Sequence, residues 1–479
     1  MPKNYNQKLM FNFNSLKLVK RCDSDSLSSF VGIRRGQNNE LEFRLPHGFD
    51  EFPENDFEET KRLFFNMYRT FKKFERDSTR EILDQRPVGK DNITKQNHAY
   101  FFKDKEDNEV ILYSKIALIE NLFEAYRELA LDVIEWRIGR DECIDYSKID
   151  HYLHRAVYLP HDVIFIDEMD LPRQTLQYES VSLIDLFCFI LSELQTELAQ
   201  ETEPRVKELA HRFAEQYLNH DQSLFNEETF ETTIQILKDV LDEIDKHTAY
   251  KDDDYWRLYE AIELFLYGEL DMNKPNEDGI YWGINNFSSV WEDMCFTHYF
   301  NLQVNIGYWG HTAIYADTNI IFDGERIANR KSGYLFPIYM LAGIKNVFEF
   351  KDVFFLEFRN NKRWMRPDLI IYVNHAGMNF SGFELCDWKY SRLEDFINLT
   401  SKTRRDITKQ LCYEFCLTKA HRGWDIINGF YIPYFFKDDT EYDWMFVNNK
   451  LLNKKLRQNK LDVVKSNFIK IQSVYLSHD

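Results

Sequence analysis

Asp387 and Lys389 stand two residues apart in the apolar segment Gly-Phe-Glu-Leu-Cys-Asp-Trp-Lys-Tyr at 382–390. Residues i and i+2 of a strand point to one face, so this acid and this amine share a side. Asp368 opens a second apolar segment, Asp-Leu-Ile-Ile-Tyr-Val, at 368–373. If the two segments pair as a hairpin, three charged groups meet at one end of an otherwise buried sheet. Two carboxylates held that close repel each other unless a cation sits between them. Oxygen donors favour Mg²⁺, which takes one or two carboxylates plus waters and a phosphate; Mn²⁺ is a substitute. The metal lowers the pKa of its water and stabilises the charge of a phosphate under attack. A lysine beside it can orient that water or help deprotonate it. The Trp388 carbonyl, between the two charged positions, is a further candidate metal ligand.

More residues extend the set. Glu292, in Val290-Trp-Glu-Asp-Met294, is an acid upstream of both segments. It also lies three residues after Ser289, the spacing of a capping box, and both readings stand. Gln410 and Tyr413 share one face of a predicted helix at i, i+3 spacing. Upstream acid, Pro367-Asp368, Asp387-x-Lys389 and Gln410-x-x-Tyr413 follow one another in the order of the PD-(D/E)XK nuclease core, which this sequence resembles. The Q-x-x-Y element is similar to that of RecB-like members. More narrowly, Val-Trp-Glu-Asp-Met-Cys (290–295), Arg-Pro-Asp-Leu-Ile (366–370), Cys-Asp-Trp-Lys-Tyr (386–390) and Asp406-Ile-Thr-Lys-Gln410 resemble the nuclease subunits of McrC and LlaJI restriction systems. Phe-Val-Gly-Ile (30–33) and Phe-Arg-Leu-Pro-His-Gly-Phe (43–49) look LlaJI-like as well.

That resemblance implies a metal-dependent endodeoxyribonuclease that cuts double-stranded DNA. It would be the cleaving subunit of a GTP-dependent restriction system directed against foreign DNA. Asp368, Asp387, Trp388 and Glu292 would serve the metal. Lys389 would position the water, and Gln410 and Tyr413 would fix Lys389 or the scissile phosphate. An AAA+ GTPase partner is implied too, engaged by the residues before 275. The chain has no G-x-x-x-x-G-K-[ST] loop, so it is expected to bind no nucleotide itself. Two rival readings stand beside this one: a RecB-like repair or recombination nuclease, and a nuclease-fold subunit that regulates an AAA+ ring without cutting.

The elements that must position these residues are readable. Segments 29–33 and 40–45 flank a Gly-Gln-Asn-Asn turn, and 100–102 and 110–113 flank a charged one, so two hairpins are expected. Apolar residues at helical spacing predict helices over 56–76, 117–136, 226–247 and 254–270. Ser182 and Asp185 have capping-box spacing before an apolar run, and Pro204 suits the first turn of the next helix. After a linker at 271–279 the pattern becomes helix (286–302), strands (303–307, 313–317, 353–358, 368–373, 382–390), helix (404–420) and strand (429–436). That is an α/β layer pattern. The fold class expected is α/β, with a mixed central sheet flanked by helices in the nuclease core and an α+β N-terminal half. Four segments are expected: an α+β region at 1–175, acidic helices at 176–275, the nuclease domain at 276–445 and a basic tail at 446–479.

Composition sets the outer bounds. The chain has 479 residues with 16% aromatics, 17 Gly and 11 Pro, which excludes collagen-like and Pro/Gly linker proteins. The net charge of −19 argues against a general coat of nucleic acid or an anionic membrane surface. The charge is uneven: residues 355–479 carry 20 Lys and Arg against 15 Asp and Glu, and residues 1–354 carry 40 against 64. Any polyanion therefore belongs at the later residues. Seven scattered cysteines without a C-x-x-C pair suggest reduced thiols. There is no signal-peptide core and no run of 18 apolar residues, so no membrane is expected and a cytoplasmic location is. The acidic turn Asp162, Asp167, Glu168 and Asp170, and His151 with His154, read as solvated or packed groups. The basic stretch 450–470 suits either DNA phosphates or water.

Overall fold

The computed structural model describes residues 11–20, 29–36, 40–83, 94–96, 99–103, 109–128, 142–144, 156–159, 163–166, 173–175, 180–248, 251, 253–268, 280–305, 311–316, 320–323, 326–330, 355–358, 361–364, 368–375, 380–420, 425–437, 444–447 and 461–477. The linker at 271–279, the acidic turn, His151 and His154 lie outside them. Strands of the two large sheets are numbered β1–β13 and the helices α1–α10. The chain forms two compact units, each drawn from several segments. One comprises 1–15, 56–65 and 115–274; the other comprises 16–55, 66–114 and 275–479. These units cut across the four sequential segments expected above.

The first unit is mainly helical. It holds the start of α1 (Phe57–Leu83), then α2 (Ala117–Glu128), α3 (Ser180–Glu197), α4 (Pro204–Tyr217), α5 (Phe230–His247) and α6 (Asp253–Tyr267). Its aromatic core stacks Phe11 on Phe265 at 5.1 Å and sets Phe65 edge-on to Phe225 at 5.2 Å. Burying each such ring stabilises by roughly 1.5–3 kcal/mol. Leu183, Ile184, Leu186, Phe187, Phe189, Ile190 and Leu191 of α3 are all buried, so the 183–191 stretch of this helix is enclosed on every side. The Ser182/Asp185 capping box does not form. The helix already begins at Ser180, and the Asp185 carboxylate accepts from Arg212 Nε at 2.6 Å and Nη2 at 2.5 Å. Among the described residues no helix is long and apolar enough to cross a membrane.

In the second unit, β2 (Val31–Arg35) pairs antiparallel with β3 (Leu41–Arg44), Ile33 opposite Phe43. They join a seven-stranded sheet of order β1 (Lys17–Val19), β3, β2, β7 (Ile280–Ile284), β6 (Glu109–Tyr113), β5 (Ala99–Lys103), β4 (Thr94–Gln96). Both hairpins expected from the sequence are present. β7 faces β2 through Gly283 and Gly32, at φ +131° and +136°. A Cβ on Gly32 would stand 2.2 Å from the Trp282 carbonyl oxygen, so only glycine allows this approach.

The second sheet has six strands in the order β8 (His311–Ala316), β9 (Leu369–His375), β10 (Phe380–Trp388), β11 (Asp425–Tyr434), β13 (Leu461–Asn467), β12 (Trp444–Phe446). β8, β9 and β10 run antiparallel in turn; β10, β11 and β13 are parallel; β12 returns antiparallel. Helices flank it: α7 (Ser288–Asn305), α8 (Leu393–Asn398), α9 (Ser401–Ala420) and α10 (Phe468–Ser477). Phe396, Phe430, Ile432, Leu461 and Val463 form the core under α9. Trp291 of α7 stacks on Phe468 of α10 at 5.7 Å and 5°. The protein is thus mixed α/β, with a mixed sheet flanked by helices.

Two expectations change here. Residues 303–305 are not strand but the last turn of α7; the alternation of Leu302 and Val304 imitates a strand over too few residues to decide. Within the expected tail 446–479, residues 461–477 are a strand and a helix rather than a tail. β13 lies between β11 and β12, and Phe468, Ile471, Tyr475 and Leu476 of α10 are buried. Lys450, Lys454, Lys455, Arg457 and Lys460 lie outside the described residues.

Candidate active site

β9 and β10 form the hairpin that the charged residues require. Their register runs to Leu369 opposite Cys386, which leaves Asp368 and Asp387 at the next rung. Asp368 is held there by the Trp388 backbone N–H, which donates to its Oδ2 at 3.0 Å. Lys389 folds back along its own strand, its Nζ 3.0 Å from Asp387 Oδ1. The Lys389 N–H donates to the Tyr431 carbonyl at 3.0 Å, tying the site to β11. Asp368, Asp387 and Trp388 are buried.

The electrostatics follow from this crowding. Burial pushes the Asp387 pKa well above the usual carboxylate range; Lys389 opposes that rise and Asp368 adds to it. Burial alone would lower the Lys389 pKa. Asp387, Asp368, Asp406 and Glu292 outweigh burial and raise its pKa above that of an ordinary lysine. The side chain is therefore an ammonium, which suits orienting a water and does not suit removing its proton. Four acids thus surround one amine. The Cys295 and Cys386 thiols are neutral, because burial raises their pKa values well above normal.

Glu292 lies in α7 and contributes to the field on Lys389. Its capping-box reading fails: Ser289 is already inside the helix, and the first turn is met by Asn286, which accepts from the Ser288 N–H at 3.2 Å. Gln410 and Tyr413 are both buried on α9. Gln410 does not hold Lys389; its Oε1 and Nε2 are buried with no hydrogen-bond partner, as is Asp387 Oδ2. Asp406 was not foreseen as a site residue. It is buried, and with Gln410, Tyr413 and Leu417 it makes an i, i+4, i+7, i+11 face that could have revealed it. Glu384 is off the site, as its strand parity requires, and its carboxylate accepts from the Tyr431 hydroxyl.

A divalent cation fits this donor set. The neighbouring Asp368 raises the cost of ionising Asp387, whose Oδ2 is buried with no hydrogen-bond partner. Among the described residues, no group of three or more His, Cys, Asp and Glu side chains is arranged to bind a metal. No family model matches the chain, no curated protein matches it, and no solved structure matches it.

Proposed function

We propose that this chain is a Mg²⁺-dependent DNA endonuclease. The observation that carries the reading is the pairing of Asp368 with Asp387, one of whose buried oxygens lacks a donor, beside the Lys389 ammonium. Asp368 and Asp387 hold the cation, with the Trp388 carbonyl and Glu292 as additional oxygen donors. When bound, the ion acidifies water and neutralises phosphate charge. Lys389, braced by Asp387, orients the attacking water. The Gln410 amide N–H donates to a phosphate oxygen. One P–O ester bond breaks as a P–O bond to water forms; the water's proton passes to solvent, and the leaving alkoxide oxygen takes a proton from solvent.

The restriction role and the AAA+ GTPase partner rest on the McrC and LlaJI resemblance, supported by the lack of a phosphate-binding loop in this chain. The test uses purified protein, Mg²⁺ and closed circular plasmid, with and without GTP and a GTPase encoded beside it. Nicked or linear product, absent with Asp387→Asn, is expected. Degradation from linear ends alone would favour the RecB-like reading. No cutting under any of these conditions would leave the non-cutting subunit.

A further inference from the structure

We infer that the solvent face of α9 is the track along which the DNA backbone lies. The inference rests on the nuclease reading and names the surface that brings substrate to that site. Lys402, Arg404, Arg405 and Lys409 are all exposed on this helix. Lys402 and Arg405 make no ion pair among the described residues. The acids of the same helix are turned elsewhere: Asp406 is buried toward Lys389, and Glu414 accepts from Asn428 Nδ2 at 3.0 Å. An unneutralised cationic stripe is out of character in a chain of net charge −19, and it complements a polyanion.

The geometry joins stripe to site. Lys402 and Lys409 are two turns apart, roughly 10 Å at 1.5 Å per residue. That is about three phosphate steps of one strand at 3.4 Å each. The next residue after Lys409 is Gln410, whose buried amide has no partner. A strand laid on the stripe therefore reaches the scissile position at the helix face shared by Asp406, Gln410 and Tyr413.

The test measures binding of a fluorescein-labelled 30-bp duplex to the full chain in EDTA, across a range of salt. The combined variant Lys402→Gln, Arg405→Gln and Lys409→Gln is compared with Lys207→Gln, an exposed lysine of the other unit. Loss of three phosphate contacts should flatten the slope of log K against log salt by about 2.7 and weaken binding on the order of 100-fold at 0.1 M. The Lys207 variant should match the wild type. In the same complex, saturating duplex should slow alkylation of the exposed Cys412, three residues past Lys409. Wild-type binding with an unchanged slope in the triple variant, and no protection of Cys412, would overturn the inference while leaving the nuclease reading intact. Stripe-dependent binding without Mg²⁺-dependent cutting would overturn the nuclease reading alone. No binding by the wild type would overturn the inference.

Discussion

The Trp388 backbone N–H donates to Asp368 Oδ2 at 3.0 Å, so a main-chain bond on β10 fixes a carboxylate at the start of β9. That bond keeps Asp368 against Asp387 despite their mutual repulsion. It also makes Asp368→Asn a clean variant, because an amide oxygen accepts the same bond. We expect cleavage to fall by at least about 100-fold with little loss of stability, since a buried charge is removed and the bond is kept. Melting with and without Mg²⁺ checks the cause. At a hundred times Kd the ion should stabilise the wild type by about 2.7 kcal/mol and leave the variant unmoved.

Lys389→Ala removes the ammonium and leaves Asp387 buried without its partner. A rate loss on the order of 10²-fold, the cost of losing a positioning group, is expected in single-turnover cleavage. Lys389→Arg keeps the charge but changes its geometry, so it should restore stability without restoring the rate. Equal cleavage by wild type and Lys389→Ala would count against the assigned role.

His47 stacks on Tyr390 at 4.3 Å, and its backbone N–H donates to the Tyr390 hydroxyl at 3.1 Å. Burial, then Arg392 and Lys402, push its pKa down to about 3. The folded imidazole is neutral, whereas the unfolded one binds a proton below its ordinary value of about 6.5. Its contribution is complete at pH 7 and is lost as pH falls from 6.5 toward 3, by at most about 1.4 kcal/mol per unit. Urea midpoints at pH 7, 6, 5 and 4 should show a shallower decline for His47→Phe, which keeps the ring stack. Parallel declines would show that another group dominates.

Gly48 has φ +81°, and a Cβ there would lie 2.1 Å from the Pro433 carbonyl oxygen. Its own carbonyl accepts the Phe435 N–H at 3.0 Å, which pins the end of β11. Gly48→Ala should cost on the order of 1–3 kcal/mol. A melting temperature equal to that of the wild type would contradict this.

Deleting residues 461–477 should abolish folding of the sheet that carries the site. β13 is an interior strand, and the Tyr475 hydroxyl donates to Asp293 Oδ2 at 2.7 Å beside Glu292. Tyr475→Phe is the mild form, with a cost of about 1.5–3 kcal/mol for a bond to a charged acceptor. Soluble, cooperatively melting deletion protein would refute the assignment of β13 to the interior.

Local chemistry carried much of the fold. The hairpin over 31–35 and 41–44, the helical spacing of Phe57 through Phe74 and the alternation around Asp387 each depend on neighbours in sequence, and each element formed. What misled was long-range. Arg212 claimed Asp185 from 27 residues away, so a capping pattern meant nothing there. Basic residues near 446–479 suggested solvent, but the placement of Leu461, Val463 and Val464 in the sheet interior outweighs charge count. In the site, strand parity put Asp387 and Lys389 together and set Glu384 apart. The field of Asp406 on Lys389 depends on how α9 docks, which no spacing rule reports.

The interior position of β13 has a temporal consequence. The first large-sheet strand of this unit begins at Lys17 and the last ends at Asn467, so about 450 residues separate them. At roughly 5–20 residues per second, ribosomes need on the order of 20–90 s to synthesise that span. The hairpin bearing Asp368 and Asp387 ends at Trp388, 79 residues before Asn467, so for roughly 4–16 s of that interval it exists without its finished sheet. The candidate site is thus assembled only after translation has passed the strand that completes its sheet.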